Sequence, residues 1–343
     1  MRFIGADLHK KSITFCVLDT VNGKTVLKNR RRIDCSDIDS ISQYLTAQGP
    51  HQLVVESTIG YEWFAGLADK TAERVVLAHA GKLRVIAEST RKTDKIDAFV
   101  LAEFLAKDMI PEAWRPTPRV RQHRSLIRRR CKVQNRITSI KNTIRGMLTR
   151  YNADRQNLFT RVGWAAIKKL ELLEQERWLL DDLREDLQEN RQRLLKLNAR
   201  LVEFAATAPI REREARAILA TMPNVGPVTI ETVLAELGDW TRFRNADTVA
   251  SYAGLDPAVR ESDGQRHNLG LTNAGSPLLR WVMIQLAHRM KRTTARWRKL
   301  FEQICQRAGN KKATCALARR LLLVIYAMLR DGKAYRFPQT ASG

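Results

Sequence analysis

TRKTDKIDAFVLAEFLA, Thr90 to Ala106, sets two carboxylates three residues apart among Arg91, Lys92 and Lys95 and then runs straight into an apolar stretch. Asp94 and Asp97 share one face of any helix begun here, because residues three apart are surface neighbours. Phe99, Val100, Leu101, Phe104 and Leu105 supply the side that such a helix buries. Taken singly, each acid is explained as an exposed helix-start residue favoured by the helix dipole. Taken together, like charges where a core begins call for a counter-charge, and the sequence upstream shows what it could serve.

Upstream, RFIGADLH and SITFCVLDT are short β-rich runs, and a turn at Val21-Asn22-Gly23-Lys24 joins the second to TVLKNRRRI as a hairpin. SDIDSISQYLTAQ follows as a helix capped at Ser36 or Asp37. Then come a strand HQLVVEST, a helix through YEWFAGLADKTA, a strand RVVLAHA and the helix holding Asp97. Three strands, a helix, a strand, a helix, a strand and a helix are the order of an RNase H-like α/β domain, expected over residues 1–110. On that frame Asp7 ends the first strand, Glu56 ends the fourth, and Asp94 and Asp97 open the last helix. Sites in open α/β sheets gather at such strand ends. Four carboxylates brought there repel unless hard divalent cations, which take oxygen ligands, sit between them. Two such ions about 3.5–4 Å apart can clamp a phosphodiester. For all four acids at matching element ends, the metal reading leads.

Composition points the same way. The 343 residues, 44% apolar, suffice for two or three domains with a sizeable core, and 60 Lys and Arg against 36 acids leave a net charge of +24. A polyanion is the expected partner, with nucleic acid ahead of anionic membrane. The longest apolar run, LLLVIYAML (Leu321 to Leu329), is far short of the roughly 20 residues of a membrane span. MRFIGADLHKKS lacks the pattern of a signal peptide. Cysteines 16, 35, 131, 305 and 315 are scattered without metal spacing, as reduced thiols of a cytoplasmic protein are.

The second region, 111–205, opens on the Pro-rich PEAWRPTPR. From Arg115 to Arg150 there are 12 Lys or Arg and no acid. Leu126, Val133, Ile137, Ile140, Ile144 and Met147 keep helical spacing, so this is an amphipathic basic helix. Self-repulsion along it calls for an outside anion, making Arg124, Arg128, Arg129, Arg130, Lys132, Arg136, Lys141 and Arg145 candidate phosphate contacts. Further on, Leu173, Leu180, Leu187, Leu194 and Leu201 recur every seven residues, with Leu183, Asn190, Leu197 and Phe204 as a second set. That is a coiled-coil seam, expected to pair two chains, the alternative being a helical hairpin within one chain.

The third region, 206–343, is mainly helical. Pro223, Gly226 and Pro227 break one helix and start another. Pro257 to Ser276 reads as a polar, Gly-bearing loop holding Ser262 beside Asp263, with Arg260, Arg266 and His267 near. On residue type alone Ser262 is a turn residue or a nucleophile toward phosphate. Ser276 to Arg330 carries 13 Lys or Arg against the single acid Glu302, a second basic face including Arg280, Lys291 and Arg292.

The chain resembles the insertion sequence 110 family of transposases, relatives of the Piv-type DNA invertases, over nearly its full length. IGADLHKKS, VVESTIGYEW and RKTDKIDAFVLAEF look like that family's acidic blocks, and MPNVGPVTIETVLAELGD, VASYAGLDP and ESDGQ with LTNAGSPLLR look like its C-terminal domain. Asn224 stands where the family commonly has Gly, and Asn273 where it commonly has a basic residue. The resemblance implies a RuvC-like tetrad of Asp7, Glu56, Asp94 and Asp97 holding Mg²⁺ or Mn²⁺, and a nucleophilic serine at Ser262, with Ser251 and Ser276 as the alternatives. It implies recombination of donor and target double-stranded DNA under a structured non-coding guide, a bridge RNA. It further implies a homo-oligomer, dimer to tetramer, in the bacterial cytoplasm and on the nucleoid, with no membrane. The competing readings are a RuvC-like Holliday-junction resolvase using metal-activated water and a non-catalytic coiled-coil scaffold for nucleic acid.

Overall fold

Continuous buried runs in β1 (Arg2–Leu8) and β2 (Ser12–Val21) build the centre of a five-stranded sheet. The structure, a computed structural model, describes residues 1–21, 24–83, 98–262, 265–271 and 275–336, with the backbone alone over most of 257–271, and falls into two units, Met1–Arg115 and Pro116–Gly343. The turn residues Asn22 and Gly23 lie outside the described residues.

In the first unit β3 (Lys24–Asp34), β4 (His51–Glu56) and β5 (Arg74–Ala78) complete the order β3-β2-β1-β4-β5. The pairs β1–β2 and β2–β3 are antiparallel, whereas β1–β4 and β4–β5 are parallel. Helices α1 (Ile38–Thr46) and α2 (Tyr61–Ala68) precede and follow β4. The α1 cap is Asp37, whose carboxylate accepts from the Ser40 amide at 3.0 Å. β3 is an exposed edge guarded by Arg30, Arg31 and Arg32, charges that discourage a further strand from adding. One face of the sheet packs Ile4, Ala6, Phe15, Leu53 and Val55 against Ile41, Leu45 and Phe64. The other face carries α3 (Ala98–Ala106), whose Ala98 and Ala102 sit on Gly5. A Cβ at Gly5 would lie 1.9 Å from the Ala98 carbonyl oxygen, so only glycine lets this helix down onto the strand. The architecture is mixed α/β, joined to a helical second unit.

That unit comprises α4 (Pro118–Thr149), α5 (Arg161–Lys168), α6 (Glu174–Ala206), α7 (Ile210–Ala220), α8 (Pro227–Leu237), α9 (Ala246–Ala253), α10 (Pro277–Thr293) and α11 (Ala295–Asp331). Pro118, Pro227 and Pro277 stand in first turns, where the missing amide has no partner to lose. Asn224 has φ 62°, a left-handed backbone that Asn tolerates better than most side chains. α11 is interrupted at Gly309 (φ 78°, ψ 164°), so it is two limbs meeting at a bend.

Two expectations change. The heptad seam of α6, expected to join two chains, packs instead against α4 of its own chain. Leu180 and Leu187 are buried with Val133, Ile137, Ile140, Ile144 and Leu148, and Leu183, Leu194 and Leu197 pack partly on the same cluster. The pairing is antiparallel, shown by Arg150 with Glu176, Arg136 with Asp186 and Arg130 with Asn198. Asn190 is buried, and its amide donates to the Asp186 carbonyl at 2.7 Å within its own helix. The apolar stripe of α4 is the partner the leucines required. The second change concerns the expected loop from Pro257. It is an antiparallel hairpin of β6 (Pro257–Ser262) and β7 (Gln265–Leu271), with Ser262 opposite Gln265.

Candidate functional site

β1 and β4 run parallel with Ala6 opposite Val55, so Asp7 and Glu56 are the next residues on neighbouring strands. Successive side chains alternate across a sheet. Ala6 and Val55 face the α1–α2 core, so Asp7 and Glu56 face the other way, toward the side on which Ala98 covers Gly5. Both carboxylates are half-buried. His9 Nε2 lies 3.0 Å from Asp7 Oδ2. His9 is not among the acids that the strand ends pick out, but it stands two residues beyond Asp7, which puts the two on the same side of an extended chain.

Asp94 and Asp97 lie outside the described residues. Ala98, bonded to Asp97, is packed on the sheet face that Asp7 and Glu56 share. Adjacent carboxylates at parallel strand ends offer the oxygen donors a hard divalent cation takes, and half-burial leaves them solvent access. Among the described residues no group of three or more His, Cys, Asp or Glu could hold an ion.

Ser262 ends β6 at the hairpin tip, and its side chain lies outside the description, as do those of Arg260 and Arg266. Of the other serines, Ser276 is buried as the cap of α10. Its hydroxyl accepts from the Leu279 amide at 3.2 Å and donates to Glu236 Oε2 at 2.9 Å, which fully accounts for it. Ser251 is exposed and its hydroxyl donates to Asp256.

The basic helix α4 proves to be held from within. Arg124 donates to the Ala235 and Glu236 carbonyls at 2.9 and 2.8 Å. Arg128 makes a two-pronged pair with the fully buried Glu236 at 2.8 and 2.9 Å. Arg130 reaches Asn198, Arg136 reaches Asp186, and Arg145 pairs with Asp154 at 2.5 Å. Lys141 sits 5.1 Å from the centre of the Phe159 ring. Of the eight candidates, Arg128 and Arg136 thus find carboxylates distant in sequence and Arg145 a nearby one, while Arg124 and Arg130 are held by carbonyl and amide oxygens. Arg129 and Lys132 are exposed. In the C-terminal face Arg280 reaches the Ala253 carbonyl at 3.4 Å, Lys291 lies 3.9 Å from the Phe301 ring centre, and Arg292 donates to the His288 carbonyl.

Two further acids, the buried Glu231 and the half-buried Glu212, share the scheme. Glu231 pairs with Arg216 at 2.8 Å and lies 2.7 Å from His123, and Glu212 joins Arg119 to Arg216. Burial works to raise all three glutamates, but Arg128 for Glu236, His123 and Arg216 for Glu231, and Arg119 and Arg216 for Glu212 hold them below the usual carboxylate range. A lowered folded-state pKa stabilises the fold above the unfolded value, about 4.3 for Glu, and that stability is lost as pH falls through the folded values. The thermal midpoint of the second unit is therefore expected to hold from pH 7 to about pH 5 and drop below about pH 4. Scanning calorimetry across that range checks it, and a midpoint unchanged at pH 3 would contradict the assignment.

The fold and sites define a class: an acid-ended α/β unit joined to an arginine-rich helical unit. Residues 216–302 match the family described as Transposase IS116/IS110/IS902, and residues 4–153 match the IS110 DEDD family, described as Transposase. The chain is 33% identical over 139 residues to an uncharacterized 43.6 kDa protein of insertion element IS110 from Streptomyces coelicolor, covering 40% of this chain and 34% of that protein. It is 23% identical over 343 residues to the transposase of IS1328 from Yersinia enterocolitica, covering 97% of this chain and 98% of that one. It is 30% identical over 122 residues to the pilin gene-inverting protein of Moraxella bovis, covering 34% and 38%. The match thus spans about a third of the length of the IS110 and pilin-inverting proteins and nearly all of the IS1328 transposase. The chain belongs to the IS116/IS110/IS902 family of transposases. Among its described residues no helix is long and apolar enough to cross a membrane.

Proposed function

We propose that the protein is a DNA transposase that cleaves and exchanges strands between donor and target duplexes under a bridge RNA, through a RuvC-like RNase H fold. The observation that carries this reading is the placement of Asp7 beside Glu56 on the sheet face where Ala98, next to Asp97, rests. Asp7, Glu56, Asp94 and Asp97 would hold Mg²⁺ or Mn²⁺, which when bound supplies positive charge at the scissile phosphate. Ser262 serves as nucleophile. Its Oγ forms a bond to phosphorus as the bond to the leaving DNA oxygen breaks. The seryl proton is given up, and the leaving end takes a proton to become a free hydroxyl. Attack on the phosphoserine by a hydroxyl of the other duplex rejoins DNA and restores the serine. Ser262 is the last residue of β6, opposite Gln265 across the hairpin. The exposed Arg129 and Lys132, with Arg260, Arg266, Arg280, Lys291 and Arg292, are assigned to phosphates of RNA and DNA, and the working form is a homo-oligomer, a tetramer at synapsis.

The test uses the full chain with its co-purified RNA and end-labelled DNA. Ser262→Ala is expected to abolish the covalent protein–DNA adduct on denaturing gels while leaving nucleic-acid binding within about twofold, since a hairpin-tip serine adds little to the fold. Adduct formation by Ser262→Ala would move the nucleophile elsewhere, with Ser251 next to test. Cleavage by the wild type without any adduct would favour the water-using resolvase.

A further inference from the structure

In a chain of net charge +24, one helix face is strongly acidic. Near the start of α6, Glu174, Trp178, Asp181, Asp182 and Glu185 fall on one side by helical spacing, and all five are exposed. Trp178 exposes 63% of its surface, which is costly for an indole ringed by carboxylates with nothing against it. The other acids of this stretch are engaged, Glu176 with Arg150, Asp186 with Arg136 and Glu189 with Arg193. Arg177, the nearest cation in sequence, turns back to the Ile167 and Leu170 carbonyls. Glu174, Asp181, Asp182 and Glu185 have no ion-pair partner among the described residues.

The complement of this face lies on α11. The bend at Gly309 opens a groove of about 1230 Å³ between the two limbs. Its floor includes Leu300, Ile304, Leu323 and Val324, and among the described residues no acid lines it. Its rim includes Lys299, Lys311, Lys312 and Arg320, all exposed and, among the described residues, without an acidic partner. The volume exceeds the roughly 300–1,000 Å³ of small-ligand sites. An apolar floor suits a side chain such as Trp, whereas a phosphate backbone would use the rim alone.

We infer that the groove on α11 receives the Trp178 face of α6 from a second copy of the chain. Four carboxylates meet four cations around an indole that fills the apolar floor, an arrangement in which the central aromatic gives affinity and the charged ring gives orientation. Within one chain the face and the groove are separate exposed surfaces of one unit, so the partner is another molecule. The two surfaces differ, so each copy offers one of each. This places self-association on a surface other than the leucine seam, which α4 already fills. The inference does not rest on the transposase reading.

Sedimentation of the full chain, freed of nucleic acid, over a concentration series tests it. The wild type is expected to self-associate, more weakly at high salt. Asp181→Lys with Asp182→Lys, and separately Lys311→Glu with Lys312→Glu, should each weaken association at least about tenfold, as should Trp178→Ala alone. Carrying both reversed pairs in one chain should restore association to within about threefold of the wild type, because the charges again match. All these positions are exposed, and an unchanged thermal melt shows that each variant folds. A monomeric wild type, single reversals without effect, or no rescue in the combined chain would overturn the proposal. A groove reversal that reduces only binding of a single-stranded oligonucleotide would give the groove to nucleic acid instead.

Discussion

Asp7→Asn is expected to lower DNA strand cleavage by at least about 10²–10³-fold while nucleic-acid binding stays near the wild-type level. The substitution keeps the shape of the side chain and removes its charge, so the sheet end and its His9 contact can persist. What is lost is half of the negative charge that Asp7 and Glu56 place side by side. Glu56→Gln should act alike, and so should Asp97→Asn if that acid completes the set. Single-turnover cleavage of a labelled duplex with Mg²⁺, and again with Mn²⁺, reads the effect. Near-normal cleavage by Asp7→Asn with either ion would remove the strand-end acids from the chemistry.

Arg128→Ala is expected to be among the most destabilising changes in the helical unit, although half of the Arg128 side chain is exposed. Its partner Glu236 is fully buried, and truncating the arginine leaves that charge with Ser276 as its remaining hydrogen-bonding side chain. Breaking a buried pair this way costs about 3–5 kcal/mol, and partial exposure of the guanidinium argues for the low end. For a unit of this size about 3 kcal/mol corresponds to a fall of roughly 6–12 °C in Tm. Lys132→Ala, four residues on and exposed, should stay within about 0.5 kcal/mol of the wild type. Equal effects of the two in calorimetry would mean that Arg128 works at the surface, as the sequence alone suggested.

These two residues show what sequence can and cannot carry. Asp7 and Glu56 were legible because strands alternate and end where turns begin, so each acid could be placed from its neighbours. The strand and helix order of the first unit was local in the same sense. The Arg128–Glu236 pair spans 108 residues and has no periodic signature, so a run of arginines looked unbalanced when its counter-charges were merely distant. The leucine repeat of α6 announced that a helix must cover it but not whose helix, and α4 was on hand with a matching stripe. The β6–β7 hairpin was missed because its residues are polar, although Asp263-Gly264 between Ser262 and Gln265 is a strong two-residue turn signal. Asp94, Asp97 and the Ser262 side chain lie outside the described residues.

The long-range anchoring of α4 also bears on how the protein is made. Arg124 grips a carbonyl 112 residues further along the chain. Glu236 lies 87 residues beyond the end of α4 at Thr149, so at about 5–20 residues per second a ribosome needs roughly 4–17 s after finishing α4 to deliver that segment. Through that interval Arg128 lacks the carboxylate that later balances it, whereas Arg145, Arg150, Arg136 and Arg119 meet Asp154, Glu176, Asp186 and Glu212 earlier. The carboxylates thus reach α4 in the order in which the chain emerges, and Glu236 is the last of them.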